Sequence, residues 1–341
     1  MCGVLEARKL TIGYRSAKGR KFVVADEIEA SLKAGEFVCL LGPNGAGKST
    51  LIKTLAGINR PLSGEVLIDG MPISAISSRE LARRLSVVLT DKPAIGLMTV
   101  FSVVALGRYP YTGWTGSLSP RDEEIVWEAI KAVGIEELSN RLVSELSDGE
   151  RQKVMIARAL AQQPRVMILD EATAFLDLPR RVELVLLLRR LAHESNIAVL
   201  LSTHDLDLAL RGADRLWILP KGETLIDGIP EDLVLKGAFA SAFNGSNVIF
   251  DCHSGTFVFE SPYLGEVACE GNGVFGVWTR RALSRAGYKV VSREKAFLRV
   301  EVSDEKGSEA LWRIYCGEHP ERFARSLEEL LLHLNSIRDA A

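Results

Sequence analysis

The stretch "GPNGAGKST" (residues 42–50) follows the apolar run "EFVCLL" (36–41) and leads into "TLIKTLAGI" (50–58). It matches the pattern G-x-x-x-x-G-K-[S/T] from Gly42 to Ser49. The apolar run predicts a buried strand and the following segment predicts a helix, which is the context that this pattern requires. A glycine-rich turn without a ligand is the alternative, but the strand and helix favour a phosphate-binding loop.

The chemistry of phosphate binding explains why these residue types occur at this spacing. Glycines allow successive backbone N–H groups to wrap around phosphate oxygens. Lys48 would neutralise the β- and γ-phosphates of a nucleotide, and the hydroxyl of Ser49 would bind Mg²⁺. The expected nucleotide contacts are Gly42, Pro43, Asn44, Gly45, Ala46, Gly47, Lys48, Ser49 and Thr50.

A second acidic element lies in "VMILDE" (166–171), an apolar strand that ends in two carboxylates. Asp170 at the polar end of this strand could hold the Mg²⁺ shell through water. Glu171 follows directly and could orient or deprotonate an attacking water molecule. Many strands end in acidic residues, so this element gains its meaning from the phosphate-binding loop upstream.

The stretch "LSDGERQKV" (146–154) allows two interpretations. Ser147 and Glu150 form an S-x-x-E capping box, which predicts a well-capped buried helix. Gly149 places no side chain at the helix start, and the free N–H groups there carry partial positive charge that suits an anion. Both interpretations stay open at this point.

Composition and charge narrow the function class. The chain has 341 residues, of which 47% are hydrophobic and 25% charged, and its net charge of −2 gives no indication of nucleic-acid binding. Five scattered Cys residues without a C-x-x-C pair indicate a reducing compartment. We expect no signal peptide and no membrane span, because no apolar segment has the required length.

The order of predicted elements indicates an α/β fold with two domains. Strands that alternate with helices imply a parallel sheet covered by helices, and a mostly helical part occupies about 91–163. The composition changes near residue 243, so we predict domains at 1–243 and 244–341. The second is a small α+β domain that starts with a hairpin in "NVIFDCHSGTFVFE" (247–260) and ends with an amphipathic helix in "ERFARSLEELLLHLNSI" (321–337).

Over about residues 4–240 the chain resembles the ATP-binding-cassette (ABC) ATPases, with several motifs in the order of that family. "GPNGAGKST" looks like the Walker A loop, "VMILDE" the Walker B strand and "LSDGERQ" the signature motif. Asp177 in "EATAFLD" is similar to the D-loop, His204 in "STHD" to the switch histidine and Tyr14 to the aromatic residue that stacks on adenine. The resemblance implies a P-loop ABC ATPase with a RecA-like core, an N-terminal antiparallel β subdomain and a helical subdomain.

This resemblance also implies how the signature motif works. In the family two copies pack head to tail, so Ser147 and Gly149 would close on the γ-phosphate of ATP held by the partner, in a homodimer that forms with ATP. One motif departs from the family, because Thr90 and Asp91 stand where the Q-loop glutamine is expected. Either residue could reach Mg²⁺ through a bridging water, or neither reaches the site.

The aromatic stretch "VALGRYPYTGW" (104–114) is similar to importer ATPases for iron–siderophore complexes, haem and cobalamin. Its Tyr109, Tyr111 and Trp114 suit an interface with a membrane permease, although an Ω-loop packed on its own aromatics is the alternative. The leading hypothesis is the ATPase subunit of such an importer, peripheral on the cytoplasmic face of the membrane. Its partners would be permease subunits and, indirectly, a substrate-binding protein, with no nucleic acid.

Two other hypotheses stay open. A soluble ABC ATPase in assembly or nucleic-acid processes is possible, but such proteins usually fuse two cassettes or carry basic extensions. Alternatively, the C-terminal domain is a sensor or dimerisation module that regulates the ATPase.

Overall fold

The computed structural model describes residues 3–16, 19–89, 97–174, 176–243, 248–252, 254–259, 263–293, 296–305, 309–317 and 320–339. The chain divides into two compact units, Met1–Val258 and Phe259–Ala341. No helix among the described residues is both long and apolar enough to cross a membrane.

The strands up to the division between the units lie in three sheets. They are β1 (Leu5–Arg15), β2 (Lys21–Leu32), β3 (Phe37–Leu41), β4 (Ser63–Ile68), β5 (Met71–Pro72), β6 (Leu85–Val88), β7 (Val166–Asp170), β8 (Ala198–Ser202), β9 (Arg215–Ile218), β10 (Ile226–Gly228), β11 (Val248–Asp251) and β12 (Thr256–Phe259).

The helices of the same unit cover its sheets. They are α1 (Lys48–Leu55), α2 (Ser78–Arg84), α3 (Val100–Ala105), α4 (Pro120–Val133), α5 (Asp148–Ala161), α6 (Leu178–Ser195), α7 (Leu206–Gly212), α8 (Pro230–Leu235) and α9 (Ala238–Ala242). Short 3₁₀ turns lie at Ile73–Ala75, Leu106–Arg108, Glu136–Leu138 and Val143–Glu145.

A six-stranded sheet in the order β10-β9-β3-β8-β7-β6 forms the centre of the first unit. Its strands pair in parallel except for the antiparallel hairpin of β9 and β10. Every residue of β3, β7 and β8 is buried, because apolar runs of this kind form strands whose two faces are both covered. The predicted α/β fold with a covered parallel sheet is confirmed.

The N-terminal antiparallel subdomain and the helical subdomain are also present. The first is a four-stranded sheet in the order β2-β1-β4-β5, whose pairs are all antiparallel. The second contains α3, α4 and α5, which pack through Val103, Val126, Ile130 and Val154 in one buried cluster. Burial of these apolar side chains is the main stabilising term for such short helices.

The predicted domain boundary at 243/244 needs a correction, because the structure divides the chain after Val258. The hairpin β11–β12 packs on the first unit through aromatic rings. Phe250 is buried and stacks on Phe239 of α9 with ring centroids 4.9 Å apart, and Phe257 contacts Phe250 at 5.3 Å. The hairpin itself was correctly predicted, but not the core to which it belongs.

The second unit is a mixed sheet with two helices. Its elements are β13 (Gly265–Glu270), α10 (Gly273–Arg285), β14 (Tyr288–Val291), β15 (Leu298–Glu305), β16 (Glu309–Cys316), β17 (Arg322–Ala324) and α11 (Leu327–Asp339). The sheet order is β14-β13-β15-β16-β17, with β13 parallel to both of its neighbours. Leu283, Val300, Leu330 and Leu334 are buried in a core of this unit, which agrees with the predicted small α+β domain.

The start of the last helix was predicted wrongly. The residues "RFA" form β17, which pairs with β16 through Ala324 opposite Trp312, and α11 begins only at Leu327. Ala324 is fully buried while Phe323 is half exposed. Pairing with β16, rather than a periodic pattern within these three residues, makes this segment a strand.

Candidate functional site

The phosphate-binding loop connects β3, the central strand of the parallel sheet, to α1. Gly47 has φ 105°, a left-handed conformation, and a Cβ atom there would lie 2.3 Å from Cγ1 of Val24. A Cβ atom on Gly42 would lie 2.4 Å from the carbonyl oxygen of Leu219. Glycine is therefore required at both ends of the turn, and the loop presents its backbone at the start of α1.

The side chain of Lys48 folds back across this loop. Its Nζ donates hydrogen bonds to the carbonyl oxygens of Gly42 at 2.8 Å and Pro43 at 3.3 Å. Burial lowers the pKa of Lys48 from its ordinary value, while the nearby carboxylates of Glu171 and Asp170 act in the opposite direction. The ammonium group therefore lies between the loop and the acidic strand end, where phosphate oxygens could replace its carbonyl partners.

The acidic end of β7 faces the start of α1. Oδ1 of Asp170 lies 3.5 Å from Oγ of Ser49 and accepts a hydrogen bond from Oγ of Ser202 at 2.7 Å. The adjacent strand β8 supplies Ser202 directly opposite Asp170. Hydroxyl and carboxylate oxygens are the ligands that Mg²⁺ prefers, so the donor set at this end of the sheet fits that cation.

Glu171 and His204 form a second pair beside the strand ends. Nε2 of His204 lies 2.8 Å from Oε1 of Glu171, and both side chains are partly exposed. The backbone N–H of Glu171 lies 3.1 Å from both the carbonyl oxygen and Oγ of Ser202. The backbone of Glu171 is in the left-handed region, with φ 50°. A cavity of about 330 Å³ borders the pair, which leaves room for water next to a carboxylate.

Tyr14 at the end of β1 is joined to the phosphate-binding loop. Its hydroxyl lies 2.5 Å from Oγ1 of Thr50, and the residue is 54% exposed. A cavity of about 460 Å³ beside it is lined by Tyr14, Ile58 and Arg60 among others. An accessible aromatic face next to a phosphate-binding loop can stack on a flat base.

The second group of predicted residues lies at the start of α5. Ser147 is the N-cap residue, and its Oγ donates to Oε2 of Glu150 at 2.7 Å, while its backbone N–H donates to the same oxygen at 2.8 Å. These two hydrogen bonds lower the pKa of Glu150 below its ordinary value. The predicted capping box is therefore present, and the amides of the first turn are arranged around Ser147 and Gly149.

A residue that the sequence did not indicate covers this helix start. Nη1 of Arg180 donates to Oγ of Ser147 at 3.2 Å, and a Cβ atom on Gly149 would lie 3.0 Å from Cδ of Arg180. Asp177 is the N-cap of α6, accepts the backbone N–H of Arg180 at 3.1 Å and lies 3.8 Å from its Nε. The space above Gly149, which the sequence analysis left open, is occupied by a guanidinium group.

The structure thus brings the predicted residues into two groups. Tyr14, Lys48, Ser49, Thr50, Asp170, Glu171 and His204 gather around the phosphate-binding loop, whereas Ser147, Gly149 and Asp177 gather at the start of α5. Thr90 and Asp91, the residues at the Q-loop position, lie outside the described residues.

Arg181 and Ser202 are further residues that the sequence analysis missed. Arg181 donates to the carbonyl oxygen of Leu176 at 2.8 Å and pairs with Asp205 at 3.6 Å, so it joins the segment before α6 to the residue after His204. Ser202 stands directly before "TH" at the end of an apolar strand, a position that a parallel pairing of β7 and β8 would have brought opposite Asp170.

The aromatic loop after α3 is anchored on one side and exposed on the other. Arg108 is buried, pairs with Asp122 at 2.8 Å, and lies 3.9 Å from the ring centre of Tyr111. Hydrogen bonds from Ser119 and then the contact with Arg108 lower the pKa of Asp122 to about 2. Tyr109 is 75% exposed and Trp114 is fully exposed. Of the three predicted interface aromatics, Tyr111 is therefore half-buried and packed on Arg108, and the other two face outward.

A neighbouring helix holds the same loop in place. Nε of Arg79 donates to the carbonyl oxygen of Pro110 at 2.8 Å, and its Nη2 donates to that of Thr112 at 2.6 Å. Arg83 donates to the carbonyl oxygen of Pro110 at 3.1 Å. Charge-assisted bonds to backbone carbonyls fix the position of a loop whose sequence cannot form a regular helix.

Two family models match the chain. The ABC transporter model matches residues 25–174, which include the phosphate-binding loop, the start of α5, and Asp170 and Glu171 at the end of β7. The Iron ABC transporter C-terminal domain model matches residues 264–335, which lie in the second unit.

Curated proteins and solved structures of ABC ATP-binding proteins are also similar to this chain. An uncharacterized ABC transporter ATP-binding protein of Methanocaldococcus jannaschii is 45% identical over 68% of this chain and 79% of that protein. A probable siderophore transport system ATP-binding protein of Bacillus subtilis is 32% identical over 79% of this chain and 93% of that protein. The dimeric structure of a post-hydrolysis state of an ATP-binding cassette bound to ADP and Pi has a TM-score of 0.56 at 27% identity, covering 66% of this chain and 98% of that one.

Proposed function

We propose that this chain, which belongs to the ABC transporter family of ATP-binding proteins and is an ATPase, powers the import of a metal chelate. The proposed cargo is an iron–siderophore or a related chelate, such as haem or cobalamin. The observation that carries the proposal is the combination of an ATPase unit with a second unit that matches an iron-transporter domain. The relative in Bacillus subtilis, whose name refers to siderophore transport, supports the same cargo class.

ATP would bind with its phosphates on the loop between β3 and α1. Lys48 would exchange its two carbonyl partners for β- and γ-phosphate oxygens, because a charge-assisted hydrogen bond is stronger than a neutral one. The adenine would stack on Tyr14, whose hydroxyl contact with Thr50 holds the ring beside the loop.

Mg²⁺ would be held by Ser49 directly and by Asp170 through water. The bound cation would neutralise part of the negative charge on the β- and γ-phosphates. Ser202 orients the carboxylate of Asp170 through its 2.7 Å hydrogen bond. This arrangement leaves the Ser49 hydroxyl, 3.5 Å away, able to turn toward a cation.

Hydrolysis would depend on the pair formed by Glu171 and His204. Glu171 would orient the attacking water and accept its proton, a role for which a positioned carboxylate is suited. The 2.8 Å contact with His204 and the two contacts of its backbone N–H with Ser202 hold Glu171 in one conformation. His204 would then be the residue that senses whether the γ-phosphate is present.

The active form would be a head-to-tail homodimer. Ser147 and Gly149 are grouped apart from the phosphate-binding loop within one chain, and the capped helix start they form suits an anion. Each ATP would lie between Lys48 of one copy and Ser147 of the other, and the dimer would be two-fold symmetric.

The outward aromatics of the anchored loop would contact the permease. Tyr109 and Trp114 project from a backbone that Arg79, Arg83 and Arg108 hold rigidly, and rigid aromatic side chains are favourable anchors at protein interfaces. The chain would therefore lie on the cytoplasmic face of the membrane and depend on a substrate-binding protein only through the permease.

A growth and uptake experiment tests this function. Cells that lack the chain should lose uptake of one ferric chelate, haem or cobalamin from a panel, and the unchanged chain should restore it. Glu171→Gln should fail to restore uptake, whereas Glu223→Gln, at an exposed glutamate, should succeed. Normal uptake of every compound in the panel by cells lacking the chain would refute the importer assignment.

The second unit favours one further candidate, a sensor that regulates the ATPase. It is a compact unit with its own buried core, so it could bind a ligand independently of the ATPase site. The test is to titrate the whole chain with the same compounds in the absence of permease. A change in ATP hydrolysis would support the sensor, and constant activity at saturating concentrations would exclude it for that panel.

A further inference from the structure

We infer that Arg180 is a phosphate-contacting residue of the ATP site, supplied by the opposite copy together with Ser147 and Gly149. The inference rests on the proposed head-to-tail dimer. It assigns a cation to the signature side of that site, where the sequence predicted only a neutral hydroxyl and backbone amides.

The position of Arg180 is set from two directions. Its backbone N–H is bonded to the N-cap carboxylate of Asp177 at 3.1 Å, and Nε lies 3.8 Å from that carboxylate. Its Nη1 reaches Oγ of Ser147 at 3.2 Å, and its Cδ and Nη1 cover Gly149 within about 3 Å of where a Cβ atom would stand. A phosphate oxygen bonded to Ser147 would therefore meet the guanidinium as well.

The charges around this helix start favour a cation beside it. Asp148 and Glu150 lie in the first turn of α5, and Asp177 contacts Arg180, which in turn contacts Ser147, so three carboxylates lie near the place proposed for a γ-phosphate. Arg151 contacts Asp148 at 3.5 Å and donates to carbonyl oxygens within its own segment. Arg180 is 49% exposed and touches Ser147, which leaves part of its fork of five N–H donors accessible to an incoming phosphate.

Closure of the dimer would change the partners of Ser147. In this structure its Oγ donates to Glu150 at 2.7 Å and accepts from Arg180 at 3.2 Å. A γ-phosphate would accept a hydrogen bond from the Ser147 hydroxyl in place of Glu150 and another from the guanidinium group at the same time, because charge-assisted hydrogen bonds to phosphate are stronger than neutral ones. ADP lacks this phosphate, so Arg180 would favour closure with ATP over closure with ADP.

Sedimentation of the Glu171→Gln variant measures dimer formation and tests whether the positive charge of Arg180 contributes to it. With ATP and Mg²⁺, Arg180→Ala should raise the dimer dissociation constant about 100-fold, because each of two symmetric contacts contributes about tenfold. Arg180→Lys should recover most of the affinity. Arg180→Gln, which keeps a polar N–H donor but has no charge, should not.

Controls separate this inference from the function on which it rests. Arg189→Ala, at an exposed arginine of the same helix α6, should leave the dimer unchanged. If Glu171→Gln with native Arg180 stays monomeric with ATP, the proposed dimer itself is wrong. If that variant dimerises and Arg180→Ala does so equally well, or Arg180→Gln equals Arg180→Lys, the dimer stands and the phosphate contact is refuted.

A mixed dimer tests whether Arg180 acts on the opposite copy. One labelled copy carries Lys48→Ala, which weakens its binding of ATP, and the other carries Glu171→Gln, so that an intermediate ATP concentration fills mainly the site of the second copy. Energy transfer between the labels reports their association. Arg180→Ala should weaken association about tenfold when placed on the Lys48→Ala copy and should have no effect on the ATP-binding copy. The reverse pattern would overturn the inference.

Discussion

Replacement of Glu171 by Gln should abolish most hydrolysis while leaving ATP bound. The amide has nearly the same shape as the carboxylate, so its oxygen can keep the 2.8 Å contact with Nε2 of His204. The two contacts of the backbone N–H with Ser202, both at 3.1 Å, do not involve the side chain. The substitution therefore removes the proton acceptor and little else.

The size of the effect follows from the loss of the proton acceptor alone. Loss of a positioned general base costs about 10²- to 10⁴-fold in rate, which is about 3–5 kcal/mol in activation free energy. The Kd for ATP should change by no more than about twofold, because neither Lys48 nor Tyr14 loses a hydrogen-bond partner.

Phosphate release under single-turnover conditions and binding of ATP by calorimetry measure the two quantities separately. Glu223→Gln, in which an exposed glutamate loses the same charge, should match the unchanged chain in both assays. Hydrolysis within about threefold of the unchanged chain would refute the role of Glu171 as the base.

Three further substitutions test other parts of the account. Lys48→Ala should weaken ATP binding about 10- to 100-fold by calorimetry, because a charged hydrogen-bond donor is lost, whereas Lys53→Ala at the other end of α1 should leave it unchanged. Arg108→Met should lower the unfolding free energy of the first unit by about 3 kcal/mol in a denaturant titration, because it leaves Asp122 without its buried partner; a loss below about 1 kcal/mol would contradict this. Trp114→Ala should leave ATP hydrolysis by the isolated chain unchanged and weaken permease binding about tenfold in a pull-down titration, and equal binding would exclude this side chain from the interface.

Local patterns in the sequence were sufficient to predict an element when the residues that determine it lie within one short segment. The apolar run before Gly42, the apolar strand before Asp170 and the capping box at Ser147 each depend on neighbouring residues. The structure contains all three elements because burial and capping are set by short-range patterns.

Contacts between distant segments could not be predicted in the same way. The contact of Arg180 with Gly149 depends on the packing of α6 beside the start of α5, and no period in either segment encodes it. The position of Ser202 opposite Asp170 depends on the strand order of the sheet. Strand order is a property of the whole chain, so a single sequence gave no access to it.

Ambiguous short segments account for the two corrections. Phe250 and Phe257 could have joined either unit, and the choice depends on the aromatic partners that α9 supplies. The segment Arg322–Ala324 is too short to show a period of its own, and pairing with β16 decides its conformation.

A structure of the Glu171→Gln variant with ATP and Mg²⁺ tests the central claim, that two copies complete each ATP site. The account predicts a two-fold dimer in which a γ-phosphate oxygen lies about 2.7–3.2 Å from Nζ of Lys48 in one copy and from Oγ of Ser147 in the other. A nucleotide whose γ-phosphate contacts only the chain that holds it, with Ser147 still bonded to Glu150, would contradict it.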